Sequence, residues 1–286
     1  MFDKILLKNI VFAFFGRGWS LILGFIITPY VISRIGIEQF GVWVLIESIV
    51  AYFVLLDMGF GTSFNKYIAG HYTKKEYNQL SEVFTIGIFF YLLFSLLIIT
   101  VSLSFQHWII GMFNFGSISY KEISTVYTAM ILILSLRSIT SVFTGIITGL
   151  LRYDVLNKIR MASSTVNFIG IYLFLSSGYG LTGLAFNGVI YAILDSVIFI
   201  ITAYKLVPQL RFVIHKGLKD TFVPLFKFGI TLQVVSIAEL INEQIDKILL
   251  GILRTVSNVG MYEVGVKISN VANLLPTIIL PILNPT

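Results

Sequence analysis

The 286-residue sequence contains no cysteine and few charged residues, and both shortages narrow its class. Without cysteine it has no disulfide framework and no thiolate metal site. Only 12% of its residues are charged, whereas soluble domains have about 25%. The three histidines, His71, His107 and His215, fall in connectors without metal-ligand spacing. We therefore expect an integral membrane protein, and the sequence predicts no cofactor and no metal.

Apolar residues are abundant, at 57% of the chain, and the mean hydropathy is +0.91. A helix needs about 20 mostly apolar residues to cross a bilayer. The runs are long and continuous rather than alternating, which favours helices over barrel strands. The predicted fold class is all-α, a polytopic bundle of about eight transmembrane helices. These are Ile10–Ile35, Phe40–Phe60, Val83–Phe105, Ile123–Leu150, Met161–Ser177, Leu181–Tyr204, Phe222–Leu250 and Val259–Leu283.

The basic residues are distributed unequally between alternate connectors. Twelve Lys and Arg lie in segments 1–9, 61–82, 151–160 and 205–221. The opposite connectors 36–39, 106–122, 178–180 and 251–258 contain only Lys121 and Arg254, with Arg34 at a border. The positive-inside rule predicts a multi-pass protein of the cell membrane with both ends in the cytoplasm. This placement explains the net charge of +6 without a nucleic-acid partner.

A weak internal repeat divides the chain. At an offset of 219 residues, Lys8 matches Lys227 and Gly41 matches Gly260, and each glycine is followed two positions later by an aromatic residue. Internal repeats are common in transporters, with the substrate between the halves. We predict a six-helix lobe at residues 1–210 and the first two helices of a second lobe at 211–286. A second lobe of two helices would be incomplete, so the chain is expected to be a fragment or to need a partner.

Several charged residues interrupt the apolar runs. Arg137 lies in the middle of the fourth predicted span, and Arg17, Glu47, Asp195, Glu239 and Glu243 lie in others. A charge at the bilayer centre costs about 2.5–3.5 kcal/mol on insertion scales. Such residues are retained mostly where they face a partner, a cavity or a substrate. The pattern indicates a transporter.

Four short stretches resemble those of a known family. Residues 35–43, IGIEQFGVW, and 55–61, LLDMGFG, resemble the opening of polysaccharide-biosynthesis flippases, including O-antigen-type exporters. Residues 246–251, DKILLG, and 259–262, VGMY, resemble the start of their second lobe. The family belongs to the multidrug/oligosaccharidyl-lipid/polysaccharide exporter superfamily, whose members have 12 to 14 helices in two lobes. The resemblance implies alternating access for a lipid-linked oligosaccharide, whose pyrophosphate and sugars cross in a polar cavity while its polyprenyl tail stays in membrane lipid.

A pyrophosphate favours arginine, which binds phosphate bidentately and stays charged. We therefore predict that Arg17 and Arg137 bind the substrate. Small and polar residues accompany both, so the alternative is a helix-packing face. On the sixth span, Asn187, Tyr191 and Asp195 share one face and are further predicted substrate-binding residues. Asp195 could pair with an arginine or titrate.

The remaining charged positions are predicted to gate or to couple ions. Glu47 lies in the outer half of the second span, and Asp57 ends it, where it could instead shape the exit of the helix. The seventh span places Glu239, Glu243 and Lys247 on one face, with Glu243 and Lys247 in the order that favours an ion pair. The alternative is a salt-bridge network between lobes.

Three other functions remain open. A drug extruder of the same superfamily would favour carboxylates over arginines. A membrane glycan polymerase or glycosyltransferase would need larger outer loops, so we expect no enzyme. A non-transporting subunit, a homo-oligomer or a complex with polysaccharide-assembly proteins is also compatible with the short chain.

Overall fold

A computed structural model describes residues 2–213 and 218–272, and within them the chain is helical without a β-strand. The helices are α1 (Phe2–Ala51), α2 (Phe60–Thr73), α3 (Tyr77–Gly111), α4 (Tyr120–Gly149), α5 (Tyr153–Ser176), α6 (Gly180–Leu206), α7 (Leu218–Leu253) and α8 (Val256–Ala272). A 3₁₀ helix, Tyr52–Asp57, joins α1 to α2.

Many of these helices have the length and composition of membrane spans. Five described segments qualify: Leu21–Asp57, Tyr77–Gly111, Tyr120–Gly149, Tyr153–Ser176 and Gly180–Leu206. Helix α7 is a sixth if its two parts, which meet at 45°, are taken as one span. Large apolar side chains stay exposed on the outside, as with Leu93 (68%) and Val234 (71%), where lipid replaces water. The all-α, multi-pass membrane fold is confirmed.

Gly36 lies in the connector predicted between the first two spans and interrupts α1, although Leu21–Asp57 also qualifies as one membrane-length segment. The residue has φ 81° and ψ 164°, and it breaks α1 into two arms, residues 2–35 and 37–51. A glycine is needed here because residues with a Cβ rarely adopt this backbone conformation. The second arm then runs through the 3₁₀ helix to Asp57.

The predicted connector 61–82 separates two membrane-length segments as expected, but it is not a loop, because Phe60–Thr73 is helix α2 and α3 already begins at Tyr77. Phe64 of α2 is 1% exposed and packs against Gly87 of α3 and Gly145 of α4, at both of which an added Cβ would lie less than 3.0 Å from the ring. Ser63, one of the polar residues that made this stretch look like a loop, forms a hydrogen bond to α7. Ser63 Oγ donates to the Leu225 carbonyl at 2.6 Å. Helix α5 likewise begins earlier than predicted, at Tyr153.

Two discontinuities meet inside the bundle. Gly59 has φ 69° and separates the 3₁₀ helix from α2, and an added Cβ there would overlap the Gly229 carbonyl of α7. Helix α7 bends between Thr231 and Gln233. The Gln233 side chain donates from Nε2 to the Leu55 carbonyl at 2.8 Å. The bend of α7 therefore packs against the break that follows Asp57.

Helices α1 and α8 approach backbone to backbone. A Cβ at Gly41 would overlap the Val256 carbonyl, and a Cβ at Gly260 would lie 2.8 Å from the Ile37 carbonyl. The two glycines that the internal repeat matches are thus packed against each other. The boundary at 210/211 stays a prediction. Residues 273–283 of the last predicted span lie outside the described residues.

Candidate functional site

A polar cavity of about 260 Å³ lies between α1, α4, α5 and α6 and is completed by one residue of α8. Its polar lining residues are Thr28, Glu47, Arg137, Asn167, Asn187, Tyr191 and Lys267. Trp43 and Phe40 contribute aromatic surface from the second arm of α1. Four of the predicted site residues, from three different helices, therefore line one cavity.

Arg137 is the central cation of this cavity. It lies near the middle of α4, and its side chain is exposed to the cavity rather than packed. Among the described residues it has no hydrogen bond or ion pair. Its electrostatic effect reaches two carboxylates, Glu47 and Asp195. Because a charge at this depth is costly without a partner, the guanidinium is available to an anionic ligand.

Glu47 is the acidic residue of the cavity. Its side chain lies deep among the helices and is exposed to the cavity. Three cations attract it, Arg137, Lys267 and Lys247, and Glu263 repels it. The carboxylate is therefore surrounded by more positive than negative charge.

Two of the three residues predicted on one face of α6, Asn187 and Tyr191, line the cavity, and their role in substrate binding stays a prediction. Asn187 is 5% exposed, and its Nδ2 donates to Asn167 Oδ1 at 2.8 Å. Tyr191 lines the cavity one turn further. Asp195 lies beyond the lining. Its buried Oδ1 lies near the buried hydroxyl of Ser163 on α5.

Lys267 brings a second cation to the cavity from α8. Its Nζ donates to Thr28 Oγ1 at 3.0 Å and lies 5.3 Å from the centre of the Phe40 ring. A cation over an aromatic face is stabilised by the ring quadrupole. Helix α8 is thus connected to the first arm of α1 by a charged side chain at the edge of the cavity.

The arrangement suits the binding of an anion more than covalent chemistry. Arginine and lysine supply N–H donors and positive charge, and the neighbouring amides and aromatic rings supply surface for a polar ligand. Among the residues that the structure describes, no three His, Asp or Glu lie close enough together to hold a metal ion.

Comparison with known proteins gives the family. The model of the polysaccharide biosynthesis protein family matches residues 6–285. The chain belongs to this family. Over 276 residues it is 21% identical to a Shigella flexneri protein assigned by name as an O-antigen transporter. The aligned region covers 96% of this chain and 64% of that protein.

Two solved structures share the fold of this family member. One is a MOP superfamily transporter from Pyrococcus furiosus, whose binding pocket is described as having reverse polarity (TM-score 0.59, 12% identity, 81% of this chain and 52% of the other). The second is a multidrug resistance MATE family transporter of the MOP superfamily in an inward-facing conformation (TM-score 0.57, 14% identity, 83% and 57%). The chain therefore spans between half and two thirds of the length of these relatives.

Two polar residues of this cavity, Lys267 and Asn167, were not predicted from the sequence. Lys267 lies in the last predicted span, where a lysine among apolar residues is the same signal that identified Arg137. Asn167 carries no such signal, because single amides are frequent in membrane helices. Only the fold shows that it lines the same cavity as Arg137.

Six of the ten predicted residues, Asp195 among them, lie outside the cavity lining or have an undescribed side chain. Arg17 belongs to α1, but its side chain lies outside the described residues. Glu239 and Glu243 are exposed on α7 and do not line the cavity. Lys247 forms its ion pair with Glu263 of α8, at 3.0 Å, instead of the expected pair with Glu243. The ion pair therefore joins α7 to α8 rather than two residues of α7.

Asp57 holds the break between the 3₁₀ helix and α2. Its Oδ1 accepts the Gly59 amide at 2.8 Å, and its Oδ2 accepts the Tyr91 hydroxyl at 3.3 Å. The carboxylate thus satisfies a backbone donor that the discontinuity leaves free. This contact supports the structural alternative, and its predicted role in gating or ion coupling stays a prediction.

Proposed function

We propose that this chain takes part in moving a lipid-linked oligosaccharide across the cell membrane for surface polysaccharide biosynthesis. The observation that carries the proposal is Arg137, a guanidinium in mid-span that faces a polar cavity without a partner among the described residues. The pyrophosphate of the substrate supplies the missing anion. The sugars occupy the polar cavity, and the polyprenyl tail remains in lipid.

Membership of the polysaccharide biosynthesis protein family supports this substrate class. So does the similarity to a protein assigned by name as an O-antigen transporter. Translocation proceeds by alternating access, with Arg137 capturing the phosphates from the cytoplasmic side and Arg17 predicted to assist. Lys267 adds a second charge from α8, so that a bound pyrophosphate contacts helices of both predicted lobes. The reaction is transport, and no bond of the substrate is broken.

Export of cationic drugs is less well supported by the cavity. A cationic drug needs an accessible carboxylate, and Glu47 is the one that lines the cavity. Three neighbouring cations already compensate it. A cationic ligand would therefore meet net repulsion from Arg137, Lys267 and Lys247.

The proposal is tested by measuring lipid-linked oligosaccharide on the cytoplasmic leaflet in cells that lack this gene. We expect accumulation that the wild-type protein relieves and that Arg137→Ala does not, at matched expression. The control Arg254→Ala removes an exposed arginine from the connection between α7 and α8 and should behave as wild type. Normal relief by Arg137→Ala would overturn the assignment of Arg137. No accumulation in the deleted strain would overturn the substrate class.

A further inference from the structure

The contact between α5 and α6 fixes the orientation of two amide side chains. Asn187 donates from Nδ2 to the backbone carbonyl of Asn167 at 3.4 Å and to Asn167 Oδ1 at 2.8 Å. A backbone carbonyl can only accept a hydrogen bond, so the Asn187 amide must turn its nitrogen toward α5. Its Oδ1 then lies against Gly170, where an added Cβ would overlap it. The glycine leaves room for this orientation.

The orientation of Asn187 determines that of Asn167. Because Asn187 presents a donor, Asn167 must turn its oxygen toward it and its nitrogen away. Asn167 is half-buried in the cavity wall, and no described residue accepts a hydrogen bond from its Nδ2. The N–H groups of Asn167 are therefore free on the same cavity wall as the free guanidinium of Arg137.

We infer that Asn167 contacts the substrate as a hydrogen-bond donor and that Asn187 is the residue that positions it. The inference rests on the proposed function, since its ligand is the phosphate of the lipid-linked substrate. Phosphate oxygens only accept hydrogen bonds, so an asparagine held with its nitrogen outward favours them, and the opposite orientation would repel them. Asn187 lines the cavity but is only 5% exposed, and its Nδ2 donates to Asn167, so it acts through Asn167.

The test measures binding of inorganic pyrophosphate to the purified protein in detergent by isothermal titration calorimetry. Asn167→Asp keeps an oxygen for Asn187 but removes the N–H donors and adds negative charge, so we expect affinity to fall by about tenfold or more. Asn187→Leu leaves Asn167 unoriented and should weaken binding by about three- to tenfold. The control Asn78→Asp adds the same charge at α3, where Asn78 accepts from Arg211 at 2.8 Å, and should bind as wild type.

A double-mutant cycle separates positioning from direct contact or structural damage. If Asn187 acts through Asn167, Asn187→Leu changes affinity by less than about twofold in the Asn167→Ala background. Additive losses would overturn the positioning role, and normal binding by Asn167→Asp would overturn the contact. Either result leaves the proposed function standing if the wild type binds pyrophosphate. No binding by the wild type would overturn both.

Discussion

At the scale of single residues, the cavity charges are unequally compensated. Glu47 is attracted by three cations, whereas Arg137 has no direct partner among the described residues. Lys267 is held by a hydroxyl and an aromatic face. A buried ion pair contributes little net stability, because the cost of desolvating the two charges offsets their attraction. An excess of cation facing an open space is instead what an anionic ligand needs.

Glu47 competes with such a ligand for the same cations. Replacing it with glutamine keeps its shape and removes its negative charge, so we expect inorganic pyrophosphate to bind about three- to tenfold more tightly. Titration calorimetry measures the change. Glu122→Gln is the matched control, because Glu122 lies in the first turn of the same helix as Arg137 but at its far end. Unchanged or weaker binding by Glu47→Gln would show that Glu47 does not compete with the anion.

The site was predictable where charge interrupts an apolar run and unpredictable where it does not. Arg137 and Glu47 are conspicuous because burial of a charge in lipid is costly. Asn167 is not, since its importance depends on the side chain opposite it on α6. The Lys247 partner was also unpredictable, because spacing along one helix describes only the neighbours on that helix.

At the scale of elements, α2 and α7 show how helices can be interrupted inside a membrane bundle. Each break leaves backbone groups unpaired, and in lipid these must find partners within the protein. Asp57 supplies such a partner for the Gly59 amide, and Gln233 at the bend of α7 adds a donor to the Leu55 carbonyl of the 3₁₀ helix. The sequence predicted the uniform apolar spans of α3 to α6 well. It did not predict helix α2, because hydropathy does not register a short, polar helix that buries only one face.

The crossing of these two elements depends on glycine at Gly59. Gly59→Ala introduces a Cβ at positive φ that also overlaps the Gly229 carbonyl, so we expect a loss of about 1–3 kcal/mol of stability. A lower midpoint of thermal unfolding in detergent would report it. Gly24→Ala is the control, since nothing lies within 4 Å of an added Cβ there and alanine favours helix. Equal midpoints for both variants would contradict the tight crossing.

At the scale of the whole molecule, the predicted orientation rests on the distribution of basic residues. The absence of cysteine makes it directly testable, because any introduced thiol is unique. Ser177 is exposed between α5 and α6, on the predicted outer side, and Lys74 is exposed between α2 and α3, on the predicted cytoplasmic side. Three spans, α3, α4 and α5, separate the two positions and place them on opposite sides, and the positive-inside rule assigns Lys74 to the cytoplasmic side.

We expect a membrane-impermeant maleimide to label Ser177→Cys in intact cells and Lys74→Cys only after permeabilisation. The cysteine-free parent protein provides the background. Labelling of both positions in intact cells would contradict the number of spans between them. The reverse pattern would show that the protein has the opposite orientation in the membrane.

The packing of α7 against the break after Asp57 has a mechanical consequence. The crossing lies in the interior of α7 and at the junction between the 3₁₀ helix and α2, and close backbone contact at Gly59 and Gly229 leaves little freedom to slide there. We expect this point to serve as a pivot for α7. When a rigid helix tilts about an interior pivot, its two ends move in opposite directions, so a gap that widens at one membrane face narrows at the other. Coordination between the two faces would then need no signal passed along the chain, because the rigid arms themselves would enforce it.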